Sequence, residues 1–350
     1  RLVVVFAHKR PDAWETLVSA IIRAGFVVVG SWPIQTEMRG GVRNFGRASL
    51  SSSVWLVCRK RPEGARPGWD NKVLEEMKVR IAERLRDFWD AGIRGPDFVW
   101  AATGPALEAY SQHPIVKKAN EPGKAMEVSE FLRQVRRLVV DFVVGRVLTH
   151  GNEGAVEAPS LDDVTTYYLL HRNDFGLEDA PSGACILYAV SCNLSDAALA
   201  DQWDLLSRSG GAGSGEEDVA DAEGEEVEDA TEETSGSKVR LKGWQQRRKP
   251  SLGYEAPGGR PVPLVDQIHR LMHLWRAGEE ARVDDYLDTR ALRRNQLFHQ
   301  LLQALIELAP AGGEERALLE SLSNHVGKRG ALGLRDGDLL GPSDSYSSEQ

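Results

Sequence analysis

The sequence predicts an α/β fold, a short piece of sheet followed by a mainly α-helical domain. Three observations predict it. Valine-rich runs of strand length stand at Leu2–Ala7, Phe26–Ser31 and Ser52–Arg59. Between the first two lies a stretch with apolar residues at helical spacing. From Val73 onward the apolar spacing is helical again.

Leu2–Ala7 is a continuous apolar run, the pattern of a strand buried on both faces. After His8-Lys9-Arg10, Pro11 suits the first turn of a helix, and Asp12 and Glu15 suit its positive end. Trp14, Leu17, Val18, Ile21 and Ile22 recur at helical spacing, and Gly25 ends that helix. The loop from Trp32 to Leu50 carries Arg39, Arg43 and Arg47, with Gly40, Gly41 and Gly46 to let it bend. Long loops between strands of a rigid sheet commonly carry function.

Residues 62–206 read as a helical domain. Val73–Trp89 has Val73, Met77, Ile81 and Leu85 on one side, Val128–Val147 follows a break at Pro122-Gly123, and 161–171 and 183–206 look helical. Residues 207–237 are Gly/Ser, then acids, then Gly/Ser, and are expected to form a disordered linker. A basic stretch from Lys238 to Lys249 and helices over Val262–Ala277, Asp284–Leu308 and Glu314–Val326 occupy 238–329. Residues 330–350 read as a disordered tail.

A chain of 350 residues has room for two domains. Its 41% hydrophobic and 27% charged content excludes wholesale disorder and a fibrous rod. No run reaches the roughly 18 apolar residues of a membrane helix, so no membrane partner is expected. Cys58, Cys185 and Cys192 are too few and too scattered for a disulfide framework or a four-ligand zinc site. A reducing, cytoplasmic compartment and no metal are the expectation. The net charge of −9 is local: residues 216–233 hold eleven acids and no base, and everything else carries +2. The rest of the chain therefore does not repel nucleic acid as the total suggests. The chain opens at Arg1 inside a strand pattern, with no Met and no targeting segment, and reads as a fragment of a longer protein.

Several side chains are candidates for function, each with a plainer alternative. Trp32 could stack on a nucleobase or pack the loop onto the sheet. Glu37 could accept a hydrogen bond from an amine or pair with a loop arginine. Arg39, Arg43 and Arg47 could bind phosphate or stay solvated. His8 follows the first strand directly, where ligands gather in open α/β sheets, and could equally be structural. The basic stretch around Trp244 could contact nucleic acid, associate with the acidic tract, or remain solvated. The sequence has no GxxxxGK[ST], GxSxG or HExxH motif.

Leu2–Arg61 resembles a known family. The words that carry the resemblance are Ala7-His8-Lys9, Trp14-Glu15 with Leu17, Ala24-Gly25-Phe26, the Trp-Pro-x-x-Thr-Glu at 32–37, and Ser52-Ser53 running into Val57-Cys58-Arg59-Lys60-Arg61. The stretch is similar to the last third of the catalytic domain in large adenine-specific DNA methylases with an N-terminal DUF1156 region. Phe98–Ser111, Val128–Val135, Thr165–Gly176 and Glu307–Leu322 resemble, more weakly, the helical region that follows that domain.

The resemblance implies the C-terminal portion of a Rossmann-like, S-adenosyl-L-methionine-dependent N6-adenine methyltransferase acting on DNA. Leu2–Ala7 would be its fifth strand, Ala13–Arg23 the next helix, and Phe26–Ser31 and Ser52–Arg59 its last two strands, paired antiparallel beside a parallel sheet. The family's Asp/Asn-Pro-Pro-Tyr segment and glycine-rich cofactor motif lie upstream of that strand, and neither occurs here. The catalytic motif is therefore expected upstream of Arg1, and no catalytic residue of this chain is named. The missing N-terminal half, in cis or as a second chain, is thus an expected partner. His8, Trp32 and Glu37 become candidates for the target-base side of the cleft, and Arg39, Arg43 and Arg47 for DNA phosphates. The alternative is a non-catalytic module of a defence system, in which the helices after residue 70 recognise DNA or a partner.

Overall fold

The computed structural model describes residues 1–6, 8, 11–35, 52–148, 161–209 and 238–332. The chain is mixed α/β and divides into two compact units, 1–145 with 156–247, and 146–155 with 248–350.

The first unit begins with strand β1 (Leu2–Phe6), helix α1 (Pro11–Arg23) and strands β2 (Phe26–Gln35) and β3 (Ser52–Lys60). The order in the sheet is β1-β3-β2, with β3 antiparallel to both neighbours. β1 and β2 therefore run the same way. β1 is not buried on both faces, as its unbroken apolar run predicts: Val3 is 49% and Val5 53% exposed, while Leu2, Val4 and Phe6 are half-buried. One face of the sheet is buried: Val54, Leu56 and Cys58 of β3 and Val28 and Ser31 of β2 are at most 2% exposed. α1 turns Trp14, Val18, Ile21 and Ile22 inward, and Trp14 meets Phe6 edge-on at 4.8 Å.

β2 is longer than the expected Phe26–Ser31. It continues through Trp32-Pro33-Ile34-Gln35, paired with Ser52–Trp55. Proline is tolerated because β2 is an edge strand. The strand also carries a β-bulge between Val28 and Gly30. The extra residue, Val29, reverses the alternation beyond it, so Ser31 points to the buried side and Trp32 to the other.

The outer edge of β2 is covered by helix α3 (Gly95–Ser111). Pro105 lies inside this helix and has no N–H to offer the Ala101 carbonyl. The Ser31 hydroxyl fills the gap. Its oxygen lies 2.8 Å from the Trp100 carbonyl and 3.0 Å from that of Ala101, and it accepts the Gly104 N–H at 2.8 Å. Gly104 has to be glycine for this approach, since a Cβ there would lie 2.2 Å from the Ser31 nitrogen. Lower down, Ser111 Oγ accepts the Val28 N–H at 3.0 Å. Arg61 donates to Ser111 O at 2.8 Å and to Ile22 O at 3.0 Å, tying the ends of α1 and α3 to the sheet.

Helix α2 (Asp70–Asp90), flanked by the two-residue parallel strands β4 (Gly68–Trp69) and β5 (Val116–Lys117), buries Val73, Met77, Ile81 and Leu85, as its spacing predicts, and Phe88 besides. Helix α4 (Val128–Leu148) is fixed to α1 by the buried Arg136, 3.0 Å from Glu15. Helix α5 (Asp163–Phe175) starts at Asp162, whose carboxylate caps the Thr165 N–H. The expected helix over 183–206 is broken into α6 (Ser182–Ser191) and α7 (Asp196–Asp201). Asn193 takes a left-handed turn at φ +55° and Ser195 caps α7.

A second three-stranded sheet contains β6 (Asp179–Ala180), β7 (Leu206–Ser209) and β8 (Lys238–Leu241), in the order β6-β8-β7. Ser209 faces Lys238 in its ladder. The segment expected to link two domains therefore leaves and returns at neighbouring positions of one sheet. Its central residues, 210–237, lie outside the described residues, as does the tail from 333.

The second unit contains α8 (Leu264–Arg276), α9 (Glu280–Thr289), α10 (Gln296–Leu308) and α11 (Glu314–Leu332). The expected helix over 284–308 is split, because Ala291 turns left-handed at φ +52° and Asn295 caps α10 through the Phe298 N–H. Its core is Ile268, Leu271, Phe298, Leu301 and Leu322, all fully buried. Asp284 of α9 accepts from Arg293 and lies 2.8 Å from His325 Nε2 of α11.

The contact between Ser31 and α3 sets an expectation for stability. Ser31→Ala should cost about 1–3 kcal/mol, because it leaves a buried helix carbonyl without its donor and the Gly104 N–H without its acceptor. Gly104→Ala should cost about as much or more, since rigid backbone must shift. Urea unfolding followed by circular dichroism measures both.

Candidate functional site

Two of the predicted features meet at one end of the first sheet. β1 and β2 finish there and β3 begins there. His8 leaves β1 at this end and is exposed. Its carbonyl accepts the Trp14 indole N–H at 3.0 Å, which holds the turn against α1. Gln35 and Ser52 oppose each other in the ladder. The loop between them thus leaves and returns beside His8. Glu37, Arg39, Arg43 and Arg47 belong to that loop and lie outside the described residues. Arg1, upstream of which the resemblance puts the catalytic motif, is exposed and leads into β1 at the opposite end of the strand from His8.

Trp32 stands elsewhere. It is inside β2 rather than beyond its end, and the bulge turns it to the open side of the sheet. There it is 56% exposed and directly opposite Trp55 of β3, which is 38% exposed. Val5 of β1 opposes Trp55 from the other side. Residues that oppose one another share a face, so Val3, Val5, Trp55, Trp32 and Ile34 form one exposed apolar surface. A surface of this kind commonly marks an interaction site.

The basic stretch does different work from that expected. Trp244 and Arg247 are buried, and Arg247 donates to the carbonyls of Trp203 at 3.0 Å and Asp204 at 3.2 Å. Arg240 pairs with Asp179 at 3.0 Å, and Lys242 pairs with Asp204. Arg247 and Lys242 thus tie the second sheet to its flanking turn, while Arg240, Arg248 and Lys249 are exposed, as a solvated stretch would be.

Two polar groups escaped the sequence reading. The first lies in a narrow crevice of about 310 Å³, mouth included, lined by Trp89, Phe98, Val139, Val143, Asp174 and Tyr188 among others. Burial raises the Asp174 carboxyl, while hydrogen bonds from Tyr188 and Asn173 and the charge of Arg94 oppose the rise. Burial and the neighbouring carboxylate push the Tyr188 phenol well up, so it remains a donor to Asp174. Arg94 covers the Trp89 ring at 3.7 Å. It also donates to the carbonyls of Trp89 and Ile93 at 2.6 and 2.8 Å. The sequence signal was the polar run His171-Arg172-Asn173-Asp174 that closes α5 after Tyr167-Tyr168-Leu169-Leu170.

The second is His171, fully buried, with Nδ1 3.2 Å from the Tyr167 hydroxyl and 3.9 Å from Cys185 Sγ. A cysteine beside a histidine suggests a nucleophile and its base. Burial decides otherwise: it pushes the Cys185 thiol up to about 12 and the His171 imidazole down to about 4. Both stay neutral, and a reactive thiolate does not form.

Among the described residues, no group of three His, Cys, Asp or Glu is placed to hold a metal ion. No helix among them is long and apolar enough to cross a membrane. Comparison of the chain with protein-family models, with curated proteins and with solved structures finds no match.

His171 makes stability depend on pH. Its ordinary pKa of 6.5 falls to about 4 on folding. Between these values the unfolded chain binds a proton that the folded chain refuses. The His171 contribution is therefore intact above pH 6.5 and declines as pH falls to about 4, by on the order of 3 kcal/mol. His171→Gln should flatten that part of the profile, as read by urea midpoints across the range.

Proposed function

We propose that the chain is the C-terminal part of an S-adenosyl-L-methionine-dependent, adenine-specific DNA methyltransferase, with its sheet forming one edge of a Rossmann-like catalytic domain. The observation that carries this reading is the strand order. β1, α1 and β2 make a parallel crossover unit, and β3 returns between the two strands, antiparallel to both. A last pair of antiparallel strands beside a parallel sheet is what the sequence resemblance implies. The outer edge of β1 has no partner among the described residues, so further strands have a place to join.

The chain's own residues do not fit the cofactor by themselves. The turn from β1 to α1, Ala7-His8-Lys9-Arg10-Pro11, has no glycine that would let successive backbone N–H groups approach an anionic ligand. The cofactor and the catalytic motif therefore fall to residues upstream of Arg1. What the chain offers is a wall. His8 and the loop anchored at Gln35 and Ser52 stand at the C-terminal ends of the parallel strands, where ligands bind in open α/β sheets. Adenine N6 is hidden in the base pair, so the base must flip out to react. His8 and Glu37 would stand beside that base at the strand ends, Trp32 would offer its exposed indole from the open face of the sheet, and Arg39, Arg43 and Arg47 would neutralise phosphates.

The test is complementation. The 350-residue chain should show no S-adenosylmethionine binding by calorimetric titration and no methyl transfer to DNA adenine. Co-expression with the segment encoded upstream, carrying a glycine-rich motif and Asp-Pro-Pro-Tyr, should restore both. Micromolar binding by the chain alone, or an inactive combination, overturns the proposal. In the active combination, Trp32→Ala should lower methyl transfer more than stability, because the side chain is more than half exposed. Equal losses would return Trp32 to a packing role.

A further inference from the structure

The crevice at Asp174 holds two opposite charges that are not paired with each other. The Asp174 carboxylate accepts the Asn173 amide at Oδ1, 2.9 Å away, and the Tyr188 hydroxyl at Oδ2. Both donors are neutral, and no cation is paired with this carboxylate among the described residues. Phe98, Val139, Val143 and Leu170 stand around it. A carboxylate withdrawn among apolar side chains is costly to keep without a cation against it.

Arg94 stands at the mouth of the same crevice, exposed to solvent. Its guanidinium covers the Trp89 ring at 3.7 Å, and Nη1 alone makes its hydrogen bonds, to the Trp89 and Ile93 carbonyls. The Nε and Nη2 edge is left over, the side of the fork that grips a carboxylate through two parallel bonds. The ring and the two carbonyls hold the group in place, so that edge is presented ready-made. Arg94 feels the charges of Asp174 and Asp90 but pairs with neither. Gly95 brings the two charges into one space. A Cβ there would lie 3.7 Å from the Tyr188 hydroxyl and 4.0 Å from Asp174 Oδ2. The residue next to Arg94 thus borders the polar end of the crevice, and its missing side chain leaves that end reachable from the mouth. The enclosed part is narrow, with room for about one water-sized group, which is the size of an ammonium.

We propose that this crevice binds a small free amino acid, its ammonium enclosed against Asp174 and its carboxylate held by the outer edge of Arg94. An amine alone would meet the charge of Arg94 without compensation, and a carboxylate alone would meet that of Asp174. A molecule carrying both charges satisfies both residues. The narrow enclosed part limits the ligand to a short side chain, and the apolar walls favour an aliphatic one. The inference does not rest on the methyltransferase reading, since every residue it uses belongs to the helices after the sheet.

Calorimetric titration of the full 350-residue chain with L-alanine tests it, alongside ethylamine and propionate, each of which lacks one of the two charges. L-alanine should bind with a Kd of about 1 mM or tighter, and each analogue on the order of tenfold more weakly. Asp174→Asn keeps an acceptor for Tyr188 and removes the charge, and Arg94→Gln removes the fork. Each should weaken L-alanine binding on the order of tenfold or more. Arg94 is exposed, so the Arg94→Gln result stands even where Asp174→Asn fails to fold. No saturable binding of L-alanine, equal affinity for ethylamine or propionate, or an unchanged affinity in Arg94→Gln overturns the proposal. The readout does not involve methyl transfer, so failure here leaves the methyltransferase reading to its own test.

Discussion

The architecture of the first unit depends on one hydroxyl group. Pro105 interrupts the hydrogen-bond ladder of α3, and a bare break inside a helix leaves a buried carbonyl without a donor. Ser31 repairs the break from the neighbouring strand. A proline that would weaken an isolated helix thus becomes the means by which helix and sheet are joined. Gly104, next to it, lets the two backbones come close enough. Trp100, whose carbonyl also lies at hydrogen-bond distance from Ser31, stacks on Trp14 of α1 with ring centroids 4.2 Å apart. Strand, edge helix and crossover helix therefore share a small set of contacts.

The bulge at Val29 makes this arrangement possible and determines what the surface displays. A regular strand would turn Ser31 outward and Trp32 inward. One extra residue exchanges them. The repair of α3 and the exposure of Trp32 are consequences of the same irregularity. The buried side gains a hydroxyl where a carbonyl waits, and the open side gains an indole beside that of Trp55. The candidate surface is thus built by the same residues that secure the fold.

Much of this was legible in the sequence. The three strands, α1 and α2 follow from unbroken valine runs and from apolar residues three and four apart, signals that tertiary contacts seldom override. The bulge was not legible, because any valine in Phe26-Val27-Val28-Val29 serves equally well as the extra one. The breaks at Asn193 and Ala291 were hidden for a related reason: left-handed turns are commonly marked by glycine, and here they are not. Trp244 and Arg247 misled because a run of cations looks solvated until neighbouring carbonyls are known to converge on it. Of the site, His8 and the start of β3 at Ser52 could be placed from the order of elements, whereas Gln35 could not, because the apolar run ends at Ser31 and the strand continues past it through a proline. The Asp174 crevice could not, since it is assembled from several separated helices and the turn before α3.

The three cysteines lend the first unit a further property. Cys58, Cys185 and Cys192 are all at most 1% exposed, and burial raises the pKa of each thiol. An alkylating reagent can reach them only when the surrounding structure opens. Cys58 watches the sheet, and the other two watch the α5–α6 pair. The second unit has no cysteine. Thiol labelling of the unaltered protein would therefore follow the opening of one unit while staying silent about the other, giving a built-in clock for local unfolding.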